Sequence, residues 1–248
     1  MKKLGVIGGL GPIATAYFYE LMIKMTDAKR DQEHTEIIIF SKPSIPDRTD
    51  YILGRSKESP VEPMIEIGKA LALLGVDYLA MPCVTAHYFH EQLTGGINRP
   101  ILHIIRETAA CLKDQGIERA GIMATDGTIH SGLFQTELLS HGITPLIPSK
   151  EGQTYVTDLI YKNIKSNRPA EMDKFRAVKE ELMDMGAQVI ILGCTELSLI
   201  KRDYEIGSGF IDAMEVLAKT CVTLCGAKLK QEYENLITME RPLVFESN

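Results

Sequence analysis

The segments YLAMPCVTAHYFH (residues 78–90) and QVIILGCTELSLI (residues 188–200) share one grammar. Each opens on an apolar run, places a cysteine directly after it (Cys83, Cys194), adds a threonine (Thr85, Thr195) and continues as an amphipathic stretch. A short apolar run closed by proline or glycine reads as a buried strand, and the pattern that follows reads as a helix. Two thiols therefore stand at two equivalent strand-to-helix turns.

Working outward, the same alternation covers the chain. Strands are expected at Lys3–Ile7, Glu36–Ser41, Tyr78–Met81, Ile101–His103, Arg119–Met123, Thr144–Ile147, Val189–Leu192 and Gly209–Ile211. Helices are expected at Ile13–Thr26, Ser59–Leu74, Thr85–Leu93, Ile105–Gln115, His130–His141, Tyr155–Lys165, Met172–Met185 and Ala213–Leu229. Such alternation predicts an α/β fold with mainly parallel sheets covered on both faces. The halves repeat: GVIGGLGPIAT leads to AMPCVTAH over the 78 residues from Gly5 to Cys83, and AGIMATDGTIH leads to LGCTELSL over the 73 from Gly121 to Cys194. We therefore expect two similar α/β lobes related by a pseudo-two-fold axis. Residues 1–103 plus 208–248 would form the first and 104–207 the second, with the polar tail after Lys230 partly loose. Ligands of open α/β sheets bind beyond the strand carboxyl ends, so facing lobes would bring both cysteines to one cleft.

Bulk properties narrow the function classes. The 248 residues are 45% hydrophobic and 24% charged, with a net charge of −6. That balance argues against nucleic acid or an anionic membrane as partner. The apolar part of MKKLGVIGGLGP is short and broken by glycine, so it reads as a first strand and not as a signal. Five irregularly spaced cysteines (Cys83, Cys111, Cys194, Cys221, Cys225) point to reduced thiols in a cytoplasm.

A cysteine at a helix N-terminus sits by unpaired N–H groups and the positive end of the helix dipole, which lowers its pKa. The same N–H groups, with Thr85 and Thr195, make a seat for a carboxylate. Two thiols flanking an α-carbon suit a reaction in which one removes the α-proton and the other returns a proton to the opposite face. No metal or pyridoxal phosphate is called for. Arg48, in SIPDRTD, and Lys165, in LIYKNIKSN, are candidate anchors for a second carboxylate.

Taken together, GGLGPIAT, IPDRT, MPCVTAH, IYKNIK and LGCTEL make the chain resemble, over nearly its whole length, the aspartate/glutamate racemase family, and most closely its cofactor-independent aspartate racemases. The resemblance implies two α/β lobes, an isomerase without cofactor, a small acidic amino acid as substrate and a homodimer. It implies that Cys83 and Cys194 are the two catalytic bases, serving the D- and L-enantiomers respectively. Thr85 and Thr195 would hold the α-carboxylate, Arg48 and Lys165 the side-chain carboxylate, and Glu196 would assist the neighbouring thiol or the amino group. The chain departs from the family's usual PCNTAH at Val84, which stands where asparagine is expected and has no hydrogen-bonding group. Other carboxylate chemistries of the same fold (hydantoin racemase, malonate-type decarboxylase, maleate isomerase) are alternatives, as is a non-catalytic amino-acid binder.

Two motifs point elsewhere. GLGPIA at Gly9–Ala14 fits a dinucleotide fingerprint, but no acidic residue follows the second strand to take a ribose. Its glycines, Gly9 among them, are expected to let the loop approach a small substrate. Cys83, His87 and His90 have the spacing of a zinc set on one helix face. The second half has no matching histidines, so no metal is expected.

Overall fold

The computed structural model describes residues 1–238 of the chain. Seven strands occur among them: β1 (Leu4–Gly8), β2 (Ile37–Ser41), β3 (Tyr78–Ala80), β4 (Arg119–Met123), β5 (Thr144–Leu146), β6 (Val189–Leu192) and β7 (Phe210–Asp212). They form two wholly parallel sheets, ordered β2-β1-β3 and β5-β4-β6-β7. The expected α/β fold with two lobes is what the chain adopts. The repeat is visible in the pairing, because β5-β4-β6 repeats the order of β2-β1-β3. β1 and β6 are buried along their whole length, as parallel strands covered on both faces are.

Apolar side chains gather in three clusters. One lies outside the first sheet and includes Ile7, Met64, Leu79 and Phe89. Another lies outside the second and includes Met123, Phe175, Ile190 and Phe210. The largest joins the lobes. It takes Leu4 and Val6 from β1, Ala120 and Ile122 from β4, and the buried faces of the helices Pro12–Met25, Ile104–Asp114 and Ala213–Leu224. The lobes thus share a core, which fixes the cleft between their strand ends.

Several expectations are corrected. Residues 101–103 form no strand; a lone parallel bridge links Ile101 to Leu79, because the chain turns into a helix at Ile104. β7 pairs with β6, so the start of the 208–248 segment extends the second sheet instead of joining the first lobe. Residues 239–248 of that segment lie outside the described residues. The tail after Lys230 is tied down as far as Thr238, whose backbone exchanges hydrogen bonds with Gly209 and Phe210 at 2.9 and 2.8 Å.

The helix expected over His130–His141 is two, Asp126–Ser131 and Leu133–Ser140, broken at Gly132 with φ 68°. Ala213–Leu224 ends five residues early, ahead of Gly226 at φ 82°. Val84–Phe89 is a 3-10 helix, and α-helix begins only at His90. The segment expected as Tyr155–Lys165 is an α-helix over Lys150–Thr157 that widens into a π-helix over Asp158–Ile164.

Candidate active site

Cys83 follows β3 and Cys194 follows β6, each in extended conformation at the start of its helix. Both are buried and line one narrow cavity. Its wall also contains Asp47, Arg48, Thr49, Val84 and Thr85 from the first lobe, and Thr125, Tyr161, Lys165, Thr195 and Glu196 from the second. Eight residues singled out in the sequence therefore converge: the two cysteines, Val84, both threonines, Arg48, Lys165 and Glu196. Gly9 lines an outer mouth instead, shared with Asp47, Arg48, Lys165 and Glu196.

The second-lobe thiol departs from expectation. Cys194 caps the helix Thr195–Asp203, a position that favours thiolate, yet its pKa is pushed well up. Burial is the main cause and the Glu196 carboxylate the next. Cys194 Sγ lies 2.9 Å from Glu196 Oε2, which also accepts from the Thr195 hydroxyl at 3.2 Å. This thiol rests protonated beside a built-in acceptor.

Across the cleft the Thr85 hydroxyl is engaged by Thr125 at 2.9 Å and Thr128 at 3.0 Å, and those two are 3.0 Å apart. Three hydroxyls in a closed ring use their three protons on one another. Thr85 must redirect its proton to serve a substrate carboxylate. Val84 is buried and contributes an apolar wall.

Arg48 begins a short helix, Arg48–Ile52. Its guanidinium lies beside Cys83 and is fixed by backbone carbonyls: Nη1 donates to Ile45 and Pro46 at 3.4 and 3.1 Å, and Nη2 to Leu10 at 3.2 Å. Its buried Nε has no partner among the described residues. The Nε–H is thus left as a donor for a carboxylate. Lys165 Nζ lies 3.4 Å from Asp47 Oδ2, across the cleft, and 4.2 Å from the centre of the Tyr161 ring. Burial works against the Lys165 ammonium, but Glu196, Tyr161, Cys194 and Asp47 outweigh it and raise its pKa.

Asp47, Thr49, Thr125 and Tyr161 were not singled out from sequence. Asp47 and Tyr161 sit inside the quoted motifs IPDRT and IYKNIK, and an Asp preceding a short helix is a capping signal; its Oδ1 accepts from the Asp50 amide at 3.1 Å. Thr49 closes the same IPDRT motif, and Thr125 carries a capping signal too, its hydroxyl oxygen accepting from the Thr128 amide at 3.2 Å. His87 and His90 are committed elsewhere. The His87 ring nitrogens face the carbonyls of Cys83 and Leu102 at 3.0 and 3.2 Å, and His90 Nε2 faces that of Ile101 at 3.0 Å. Among the described residues no three His, Cys, Asp or Glu side chains are grouped to hold a metal ion. The five cysteines are unpaired, and no helix there is long and apolar enough to cross a membrane.

Residues 7–221 match the family model described as Asp/Glu/Hydantoin racemase. The aspartate racemase of Picrophilus torridus superposes with a TM-score of 0.80 at 32% identity, over 94% of this chain and 98% of that one. An aspartate racemase homologue from Pyrococcus horikoshii has the same fold, with a TM-score of 0.72 at 24% identity over 91% and 99% of the two chains. The broad specificity amino-acid racemase RacX of Bacillus subtilis is 26% identical over 226 residues, 89% of this chain and 96% of that protein. The chain belongs to the Asp/Glu/hydantoin racemase family and is an isomerase of the amino-acid racemase type.

Proposed function

We propose that the protein interconverts the L- and D-forms of an acidic amino acid, aspartate first and glutamate second, by proton transfer between two cysteines and without cofactor. The observation that carries this reading is the single cavity that holds both thiols together with a guanidinium and an ammonium. One cation set suits the side-chain carboxylate. The threonines and the amide groups behind Cys83 and Cys194 suit the α-carboxylate.

In this reading Cys83 and Cys194 are the two bases, one on each face of the α-carbon. Glu196 takes the proton of Cys194 when that thiol must act as base, and in the reverse direction gives a proton back once Cys194 has donated its own to the carbanion. Thr85 and Thr195 seat the α-carboxylate. Arg48 presents its Nε–H to the distal carboxylate and Lys165 neutralises it. Gly9 lets the loop after β1 close over the mouth. The resemblance to aspartate racemases supports a homodimer, and the reduced thiols a cytoplasmic protein.

A second reading has a specific observation behind it. Val84 offers the substrate no polar contact, and the RacX relative carries a broad-specificity name. A neutral amino acid is therefore the competing substrate. The reduced protein, incubated in D₂O with L-aspartate, L-glutamate and L-alanine in turn, distinguishes them. Exchange of the α-proton with loss of optical purity for aspartate or glutamate supports the proposal. Exchange confined to alanine replaces the substrate, and consumption of an acid without racemisation replaces the reaction.

A further inference from the structure

Tyr161 is a polar residue in the cleft that the reading above leaves without a task. Its hydroxyl is buried and has no hydrogen-bond partner among the described residues. Thr49 is near enough to affect its titration but outside hydrogen-bond geometry. Burial pushes its pKa up to about 12, so at neutral pH it is a phenol with a proton to donate. Leaving such a group unpaired costs about as much as a hydrogen bond is worth, and the side chain borders the cavity that holds both thiols.

The backbone explains how it comes to point there. Tyr161 lies in the π-helix Asp158–Ile164, closed by a bond from the Lys165 amide to the Ile160 carbonyl at 2.9 Å. Residues four apart lie on one face of a helical turn. Tyr161 and Lys165 are four apart. The ammonium rests on the face of the ring, 4.2 Å from its centre. The spacing thus delivers a cation and a neutral donor to the same wall.

We propose that Tyr161 is a substrate-binding residue whose hydroxyl donates to the distal carboxylate, beside the Lys165 ammonium, and so sets the preference for acidic substrates. The claim rests on the acidic-substrate reading of the site. The α-carboxylate is seated elsewhere, between the thiols at Thr85 and Thr195. The distal end is where Lys165, Asp47 and Tyr161 meet.

The test is Tyr161→Phe, which keeps the ring under Lys165 and removes only the hydroxyl. Succinate is the probe, because it carries both carboxylates of aspartate and cannot racemise. Calorimetric titration is expected to show affinity weakened by about 10- to 100-fold, the range for one hydrogen bond to a charged group. The melting temperature should be unchanged or higher, since the variant loses an unpaired buried hydroxyl. Where aspartate turns over, KM should rise by a similar factor with a smaller change in kcat. Equal succinate affinity in both proteins, or no succinate binding by the unaltered protein, overturns the proposal. Weakened succinate binding in a protein that fails to racemise aspartate would keep the Tyr161 assignment while removing the racemase reading.

Discussion

The Cys194 thiol and the Glu196 carboxylate form a buried hydrogen bond, 2.9 Å from Sγ to Oε2, at the first turn of the helix Thr195–Asp203. Burial raises the thiol pKa most and the carboxylate adds to it. The favourable helix terminus is outweighed. Glu196→Gln keeps the shape and removes the charge. The thiol of the variant should titrate at lower pH than in the unaltered protein. Alkylation of Cys194 by iodoacetamide against pH, with Cys83 replaced by alanine, measures this. Racemisation should fall by about 10²- to 10⁴-fold, the usual worth of a general acid–base partner. An alkylation profile that does not move would refute the coupling.

Cys83 and Cys194 lie on opposite lobes of one cavity, so neither can replace the other. Cys83→Ala and Cys194→Ala should each lower racemisation of both enantiomers by at least about 10³-fold. Chiral chromatography after long incubation reads it. Substantial racemisation by either variant would remove the two-base scheme.

The cysteine pair was legible because strand burial, the turn and the following helix are all written within thirteen residues, twice. Arg48 and Lys165 were legible as motif members, but not what they do at rest. Arg48 is fixed by carbonyls of Ile45, Pro46 and Leu10, and Leu10 is far away in the chain. The Thr85–Thr125–Thr128 ring joins residues some forty positions apart across two lobes, and no local pattern encodes that. The π-turn escaped because an apolar period near four does not distinguish α from π. β7 was read as a strand correctly but placed in the wrong sheet, since pairing partner is a tertiary choice.

Asp47 meets Lys165 at 3.4 Å, and in the proposed reading it competes with the substrate carboxylate for that ammonium. Burial opposes its ionised form, but Lys165, the Asp50 amide and Arg48 together hold its pKa below the usual value. Asp47 is therefore ionised at neutral pH. Asp47→Asn keeps a capping side chain and frees the ammonium. Binding of succinate should tighten about 3- to 10-fold, with the increment shrinking at high salt. Weaker binding in the variant would show that Asp47 orients Lys165 and does not compete for it.

Gly9 has φ 90°, and a Cβ placed on it would lie 2.5 Å from the Lys42 amide nitrogen and 2.8 Å from that of Pro43. Both obstacles are backbone, so neither can move aside cheaply. Gly9→Ala combines an unfavourable φ with a clash. We expect it to destabilise the protein by about 2–4 kcal/mol, measured by urea unfolding. A loss under about 0.5 kcal/mol would mean the loop after β1 shifts freely.

Glu215 supplies a pH signature. It is buried, pairs with Lys201 at 2.6 Å and lies near buried Asp212. Burial first and Asp212 second raise its pKa to about 7. A carboxyl raised on folding contributes stability that is complete below its unfolded pKa and is lost as pH rises through the folded one. Here that window runs from about 4.5 to about 7. Buried His87, lowered to about 4 chiefly by burial, has the opposite slope, with stability lost as pH falls from about 6.5 to 4. The opposed slopes flatten the profile of the unaltered protein, so a difference measurement is needed. Glu215→Gln removes only the first. Its stability relative to the unaltered protein should rise as pH goes from 4.5 to 7, by on the order of 3 kcal/mol, and stay level above. A stability difference that is flat across the window would mean that Glu215 titrates normally despite its burial.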